Sequence, residues 1–143
     1  MMFNRMESAT YLASQLAKGF SRSLQQRATG LGFSPGQFPI LVELWSADGL
    51  TQKQLLAKVD VEQATLANTL ARMERNGLIE RQTHPSDKRA QIILLTDQGR
   101  ALEGPAIEAA LDADDALFEG FRRFERELLM EFMRRATETA RKL

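Results

Sequence analysis

Two copies of one helix-start signal, Ser34-Pro35-Gly36-Gln37 and Thr51-Gln52-Lys53-Gln54, constrain this chain more than any other feature. In each, a hydroxyl residue stands three places before a glutamine, so the two side chains can satisfy each other's backbone N–H groups. Pro35 suits a first helical position, and Phe33 is placed to pack on Phe38 across the start. The first signal predicts a helix from Pro35 that buries Phe38, Leu41, Val42 and Trp45 and stops at Asp48-Gly49. The second predicts a short helix with Leu55, Leu56 and Val59 inward. A tight turn follows, Val59-Asp60-Val61, in which Asp60 is a residue that tolerates a left-handed conformation. The next helix runs from about Glu62 to Asn76 with Leu66, Leu70 and Met73 buried.

The flanks complete the pattern. Leu12, Leu16, Phe20, Leu24 and Ala28 recur every four residues, one stripe of a long first helix that Gly30 and Gly32 end. Asn76-Gly77 closes the helix that starts near Glu62. Leu78 to Arg81 and Ala90 to Leu95 read as two strands joined by the polar loop Gln82 to Arg89, a hairpin of the kind called a wing. Thr96 caps a fifth helix from Asp97, which Gly104-Pro105 kinks or splits. A last helix, about Glu125 to Lys142, follows Phe121 and carries Phe124, Leu128, Phe132 and Met133 on one side. The expected architecture is mainly α: about six helices and a two-stranded wing around a helix-turn-helix. With 143 residues, 43% of them apolar, the chain closes one core and is read as a single domain.

Composition excludes several functions. There is no cysteine, hence no disulfide, thiolate metal site or thiol-oxidation switch, and His84 is the sole histidine. Neither a metal nor another cofactor is expected. His84 beside Pro85 has no evident nucleophile or metal partner, Asp114-Asp115 reads as a solvated face, and no phosphate-cradling glycine motif occurs, so the chain is not read as an enzyme. No stretch approaches the ~18 apolar residues of a membrane span and Met1 to Thr10 lacks the apolar run of a signal peptide, which predicts a cytoplasmic protein.

The formal net charge is +0, so the distribution of charge carries the information. Thr51 to Leu95 holds seven Lys/Arg against five Asp/Glu, whereas Ala101 to Phe121 holds six carboxylates and no base. One face can approach phosphate while another repels it. Gln63, Thr65, Asn68 and Thr69 put amides and hydroxyls on the outward face of the helix after the turn, the groups that read base edges in a major groove. Glu62 beside them would be repelled by phosphate unless it caps the helix, accepts from a cytosine amino group or holds an arginine. Arg81, Lys88 and Arg89 give the hairpin three cations, with Asp87 placed to orient Arg89 toward a narrow minor groove. This predicts a double-stranded DNA partner. The alternative is a winged-helix protein-interaction module without DNA binding, favoured by the neutral net charge and Glu62.

Asp87-Lys88-Arg89-Ala90 resembles the Asp-x-Arg-Ala wing motif of the MarR family of bacterial transcription regulators. Leu95-Thr96-Asp97-Gln98-Gly99-Arg100 is similar to the segment that follows it there, and Leu66 to Ile79 resembles that family's recognition helix and its exit into the wing. The resemblance covers nearly the whole chain, with two departures: Asp60 where a glycine is usual, and Glu62 where a small capping residue is usual. It implies a ligand-responsive repressor, a homodimer on an inverted-repeat operator. By it, residues 33–100 form the DNA-binding lobe, and residues 1–32 and 101–143 the dimerisation helices, where Met2, Phe3, Met6 and the apolar residues of the last helix would meet a second copy. It further implies that Arg89 probes the minor groove, positioned by Asp87, and that Gln63, Ala64, Thr65, Asn68 and Thr69 face the major groove. Arg72, Arg75 and Lys88 are implied as phosphate contacts. Family members often release DNA on binding a small aromatic or anionic effector, for which Tyr11, Phe20, Arg22, Phe38 and Trp45 have suitable character.

Overall fold

A computed structural model describes residues 2–143. Among them are seven α-helices: α1 (Ala9–Ala28), α2 (Phe38–Ser46), α3 (Gln52–Lys58), α4 (Gln63–Arg75), α5 (Asp97–Ala101), α6 (Glu103–Leu117) and α7 (Arg123–Ala140). The strands are β1 (Leu50–Thr51), β2 (Ile79–Thr83) and β3 (Gln91–Leu95), in the antiparallel order β1-β3-β2. Of the kink or split expected near Gly104-Pro105 the helix from Asp97 takes the split, dividing at Leu102, which brings the expected count of about six helices to seven. Pro105 has no N–H to offer the carbonyl of Ala101, so the run of helical hydrogen bonds is interrupted there.

The hairpin is also one strand larger than expected. Leu50 and Thr51, read from sequence only as the approach to α3, pair with Ile93 and Ile92. Ile79 faces Leu95 and Thr83 faces Gln91 across the other ladder, so the wing is fastened at its root on both sides of β3.

The Thr51–Gln54 capping box forms: Gln54 N–H donates to Thr51 Oγ1 at 3.1 Å, and Thr51 N–H to Gln54 Oε1 at 2.8 Å. The earlier signal forms by half. Gln37 Oε1 accepts from Ser34 N–H at 3.1 Å, but residues 34–37 make a tight turn and α2 begins at Phe38, not Pro35. The inward face of this helix is Ile40, Leu41 and Leu44, spaced three and four apart, while Val42, expected inside, is exposed. Phe38 and Trp45 are half-buried, and Phe33 does pack on Phe38, with ring centroids 5.9 Å apart.

Leu41, Leu44, Leu55, Leu66, Leu70, Met73, Leu78 and Ile93 form the centre of the core, filled from α2, α3, α4 and the wing. In the turn between α3 and α4, Asp60 is not left-handed, and among the described residues only glycines have positive φ. Val59 and Glu62 are extended and reverse the chain without such a residue, so the absence of glycine at this position costs nothing. At the far end of α4, Gly77 has φ 78°, and Leu78 N–H reaches Met73 O at 3.0 Å while Gly77 N–H reaches Glu74 O at 3.1 Å. This left-handed cap turns the chain directly into β2.

On the other side of the core, α1 lies along α6. Alanines 106, 109 and 113 give α6 a flat buried face, and Ser23 Oγ donates to Ala113 O at 2.9 Å in the interface. None of the residues of α7 is buried. Among the described residues no helix is long and apolar enough to cross a membrane.

Candidate nucleic-acid interface

The first turns of α3 and α4 and the tip of the wing enclose an open cleft of about 640 Å³. Gln63, Asp87 and Arg89 share its walls with Thr51, Gln52 and Lys53. Along α4, Gln63, Ala64, Thr65 and Asn68 are exposed on one side and Leu66, Leu70 and Met73 are fully buried on the other. Thr69 is half-buried and its hydroxyl donates to Thr65 O at 2.8 Å, so it can only accept from a partner. Arg72 and Arg75 are in the last turn of the helix, Arg72 and Arg75 both with their side chains toward solvent.

At the wing tip, Asp87 Oδ1 accepts from the backbone N–H of Arg89 at 3.0 Å, and Asp87 O accepts from Ala90 N–H at 3.0 Å. Asp87 therefore fixes the backbone of the turn. It does not hold the Arg89 guanidinium, and neither Arg89 nor Lys88 has an ion-pair partner among the described residues. His84 serves the same turn, its Nδ1 accepting from Ser86 N–H at 3.0 Å. The carboxylate of Glu62 neither caps α4 nor pairs with an arginine, which removes two of the three roles open to it.

Arg81 is the correction among the cations. It is bound to Glu74, Nη2 to Oε1 at 2.9 Å and Nε to Oε1 at 3.3 Å, and is mostly covered. Instead of reaching outward it clamps β2 to the last turn of α4, and its hydrogen bonds hold the Glu74 carboxyl below the usual carboxylate range. A lowered value in the folded state means that the pair's stabilisation is present at neutral pH and is lost as acid titrates Glu74 through that lowered value. Thermal unfolding of Glu74→Gln should thus show a deficit against the natural sequence at neutral pH that closes as the pH falls. A deficit that stays constant into acid would refute the clamp.

Sequence reasoning missed this clamp, and also Lys53, which stands in the first turn of α3 beside the cleft. The capping box at Thr51 could have located Lys53, since a residue two places after a cap must lie at a helix mouth.

The five residues suited to an effector are divided. Phe20 and Phe38 line a separate cavity of about 440 Å³ between α1, the approach to α2, and α6, with Asp114 at its wall. Trp45 stands behind Phe38, ring centroids 6.1 Å apart, its Nε1 donating to Gly99 O at 3.0 Å. Tyr11 and Arg22 do not line this cavity. Asp114 is the charged group there, and burial pushes its carboxyl above the usual range, against the opposing charge of Arg126.

Residues 33–90 match the model of the MarR family. The transcriptional regulator HosA of Escherichia coli O111:H- is 31% identical over 99 residues, covering 69% of this chain and 73% of the relative. The chain belongs to the MarR family. Its fold agrees: a crystal structure of MarR superposes with a TM-score of 0.82 at 26% identity, over 92% of this chain and 96% of that one. The repressor CouR, solved bound to a 23-mer DNA duplex, superposes with a TM-score of 0.83 at 23% identity, over 96% and 99% of the two chains. This MarR-family chain is accordingly a transcriptional regulator, in a family of regulators and not of enzymes. The lone histidine in the wing turn and the Asp114 carboxyl need no catalytic explanation.

Proposed function

We propose that the chain is a ligand-responsive repressor that binds double-stranded DNA as a homodimer on an inverted-repeat operator. The observation that carries this reading is the shared cleft, in which the polar start of α4 and an unpaired wing-tip arginine converge on one concave surface. A helix in the major groove and a cation in the adjacent minor groove need that convergence. Gln63, Ala64, Thr65 and Asn68 face base edges, Thr69 accepts at the rim, and Arg72, Arg75, Lys88 and Lys53 take phosphates. Asp87 presents Arg89 by fixing its backbone. Glu62 keeps one role, accepting from a cytosine amino group. CouR, which shares the fold, is solved bound to a DNA duplex, and this supports the reading of the chain as a DNA-binding protein.

Residues 33–100 act as the DNA-binding lobe and residues 1–32 with 101–143 as the dimerisation region, of which Met1 lies outside the described residues. The exposed apolar side chains of α7 and of Met2, Phe3 and Met6 support dimerisation through the two ends of the chain. The cavity beside Phe20 and Phe38 is the effector site. The protein works in the cytoplasm, where its operator is.

Selection of bound duplexes from a random library should enrich an inverted repeat with half-sites about one helical turn apart. No enrichment, with retained binding to another protein, would favour the interaction module. Arg89→Ala should weaken binding to all duplexes and lower the slope of affinity against salt by about one unit. An unchanged slope would remove Arg89 from the interface.

A further inference from the structure

The cavity between α1, α2 and α6 has a chemical character that selects its occupant. Phe20 and Leu24 of α1, with Pro35 and Phe38, make most of its wall apolar, and no lysine or arginine lines it. The charge it holds is the carboxylate of Asp114 on α6, which has no hydrogen bond or ion pair to its side chain among the described residues. Arg126 lies close enough for its charge to act on Asp114, but it is committed elsewhere: Nη1 binds Asp115 Oδ1 at 2.6 Å and the guanidinium stacks 4.6 Å from the centroid of Phe118. The cavity therefore joins two aromatic rings to a carboxylate that is partly removed from water and left without a partner.

Each of these features favours positive charge. The faces of phenyl rings are the negative pole of the ring quadrupole and attract cations. A carboxylate in partly desolvated surroundings gains most from a charge-assisted hydrogen bond to an N–H donor. An anion meets repulsion from both, and a neutral ring gains only the apolar contact. A volume of about 440 Å³ suits a ligand of one or two rings.

We infer that the effector of this protein is an aromatic or heteroaromatic amine or amidine, bound as its cation with the nitrogen on Asp114 and the ring against Phe20 and Phe38. This rests on the reading of the cavity as the effector site. The occupant lies where α2, the first helix of the DNA-binding lobe, meets α1 and α6, so it bears on both parts of the chain at once.

The test uses the full chain and three probes of one shape and different charge: benzamidine, benzamide and benzoate. Trp45, the single tryptophan, packs on Phe38 and reports binding by its fluorescence. Benzamidine should bind about tenfold or more tightly than benzoate, with benzamide between them, as one charge-assisted hydrogen bond predicts. In Asp114→Asn, benzamidine should fall to the affinity of benzamide while benzamide itself is unchanged. Benzoate binding as tightly as benzamidine, or a benzamidine preference that survives Asp114→Asn, overturns the inference and leaves the cavity as a site for another class. If equilibrium dialysis and Trp45 both show no uptake of any probe, the inference and the effector role of the cavity fall together, whereas DNA binding is judged separately by the library selection. The comparison of the three probes in the natural sequence needs no variant to fold.

Discussion

Phe132→Glu should give a folded monomer that has lost about 100-fold or more of its operator affinity, the usual advantage of two linked binding units over one. Helix α7 has 18 residues and none is buried. Phe124, Leu128 and Phe132 recur every four residues along one side of it, each about half exposed, at 56%, 47% and 51%. On its other residues the helix is strongly charged, with ion pairs such as Arg123–Glu127 and Arg134–Glu131 spaced three or four apart. Such a helix has a side made for water and a side made for contact, and a contiguous apolar side is seldom left open to water. On the proposed reading a two-fold axis brings two copies of α7 together, so each substitution enters the interface twice and places two carboxylates in apolar surroundings. Sedimentation should show one copy per particle at concentrations where the natural sequence shows two, and the circular dichroism of the core should be unchanged, since Phe132 is not part of it. A dimer that survives Phe132→Glu intact would refute the assignment of α7.

Gly99→Ala should cost about 3 kcal/mol, roughly 10 °C of Tm, because the added methyl group has nowhere to go. A Cβ at position 99 falls inside the van der Waals envelope of the Leu78 carbonyl oxygen and 3.1 Å from Leu95 Cδ2. The oxygen belongs to the backbone of a fully buried residue and is itself accepting from Thr96 N–H at 3.1 Å, so it cannot withdraw without losing that bond. The same few residues are tied by Thr96, whose Oγ1 donates to Gly77 O at 2.6 Å and accepts from Gly99 N–H at 3.0 Å. Gly104→Ala is the matched comparison: a Cβ there meets nothing within 4 Å, and the loss of a flexible residue near the start of α6 should leave stability unchanged or raise it by about 0.4–1 kcal/mol. Equal melting temperatures for the two variants would show that α5 can be displaced from Leu78 at little cost.

The parts of this structure that could be read from the sequence are those set by local chemistry. The capping box at Thr51, the glycine exit at Gly77, the cap at Thr96 and the inward stripe of Leu66, Leu70 and Met73 each depend on residues within a turn or two of one another. The placement of Gln63 and Asn68 on the open side of α4 follows from that stripe. What escaped depends on distant segments. Nothing near Arg81 says that Glu74 will lie beside it, since the pair is made by the left-handed turn between α4 and β2. Leu50 and Thr51 became a strand only because β3 came to rest against them. Helix α2 starts later than its signal predicts because Ser34 to Gln37 satisfies its own backbone bonds as a tight turn, an arrangement as good locally as a helix start. The division of the five proposed effector residues is tertiary too, as Tyr11 and Phe20 share a helix yet stand more than two turns apart along it.

The short strand β1 has a mechanical consequence for target choice. Because Leu50 and Thr51 bind β3 from the side opposite β2, and Arg81 clamps β2 to α4, the hairpin behaves as a cantilever with a fixed end. The tip, residues 84–90, projects beyond both ladders and is braced only by its own turn bonds from Asp87 and His84, so on the proposed reading the arm should adapt to grooves of differing width by moving this turn as a unit while its root stays in place. On the proposed reading, such a protein should be permissive about the sequence flanking each half-site and strict about the distance from the helix contacts to the flank.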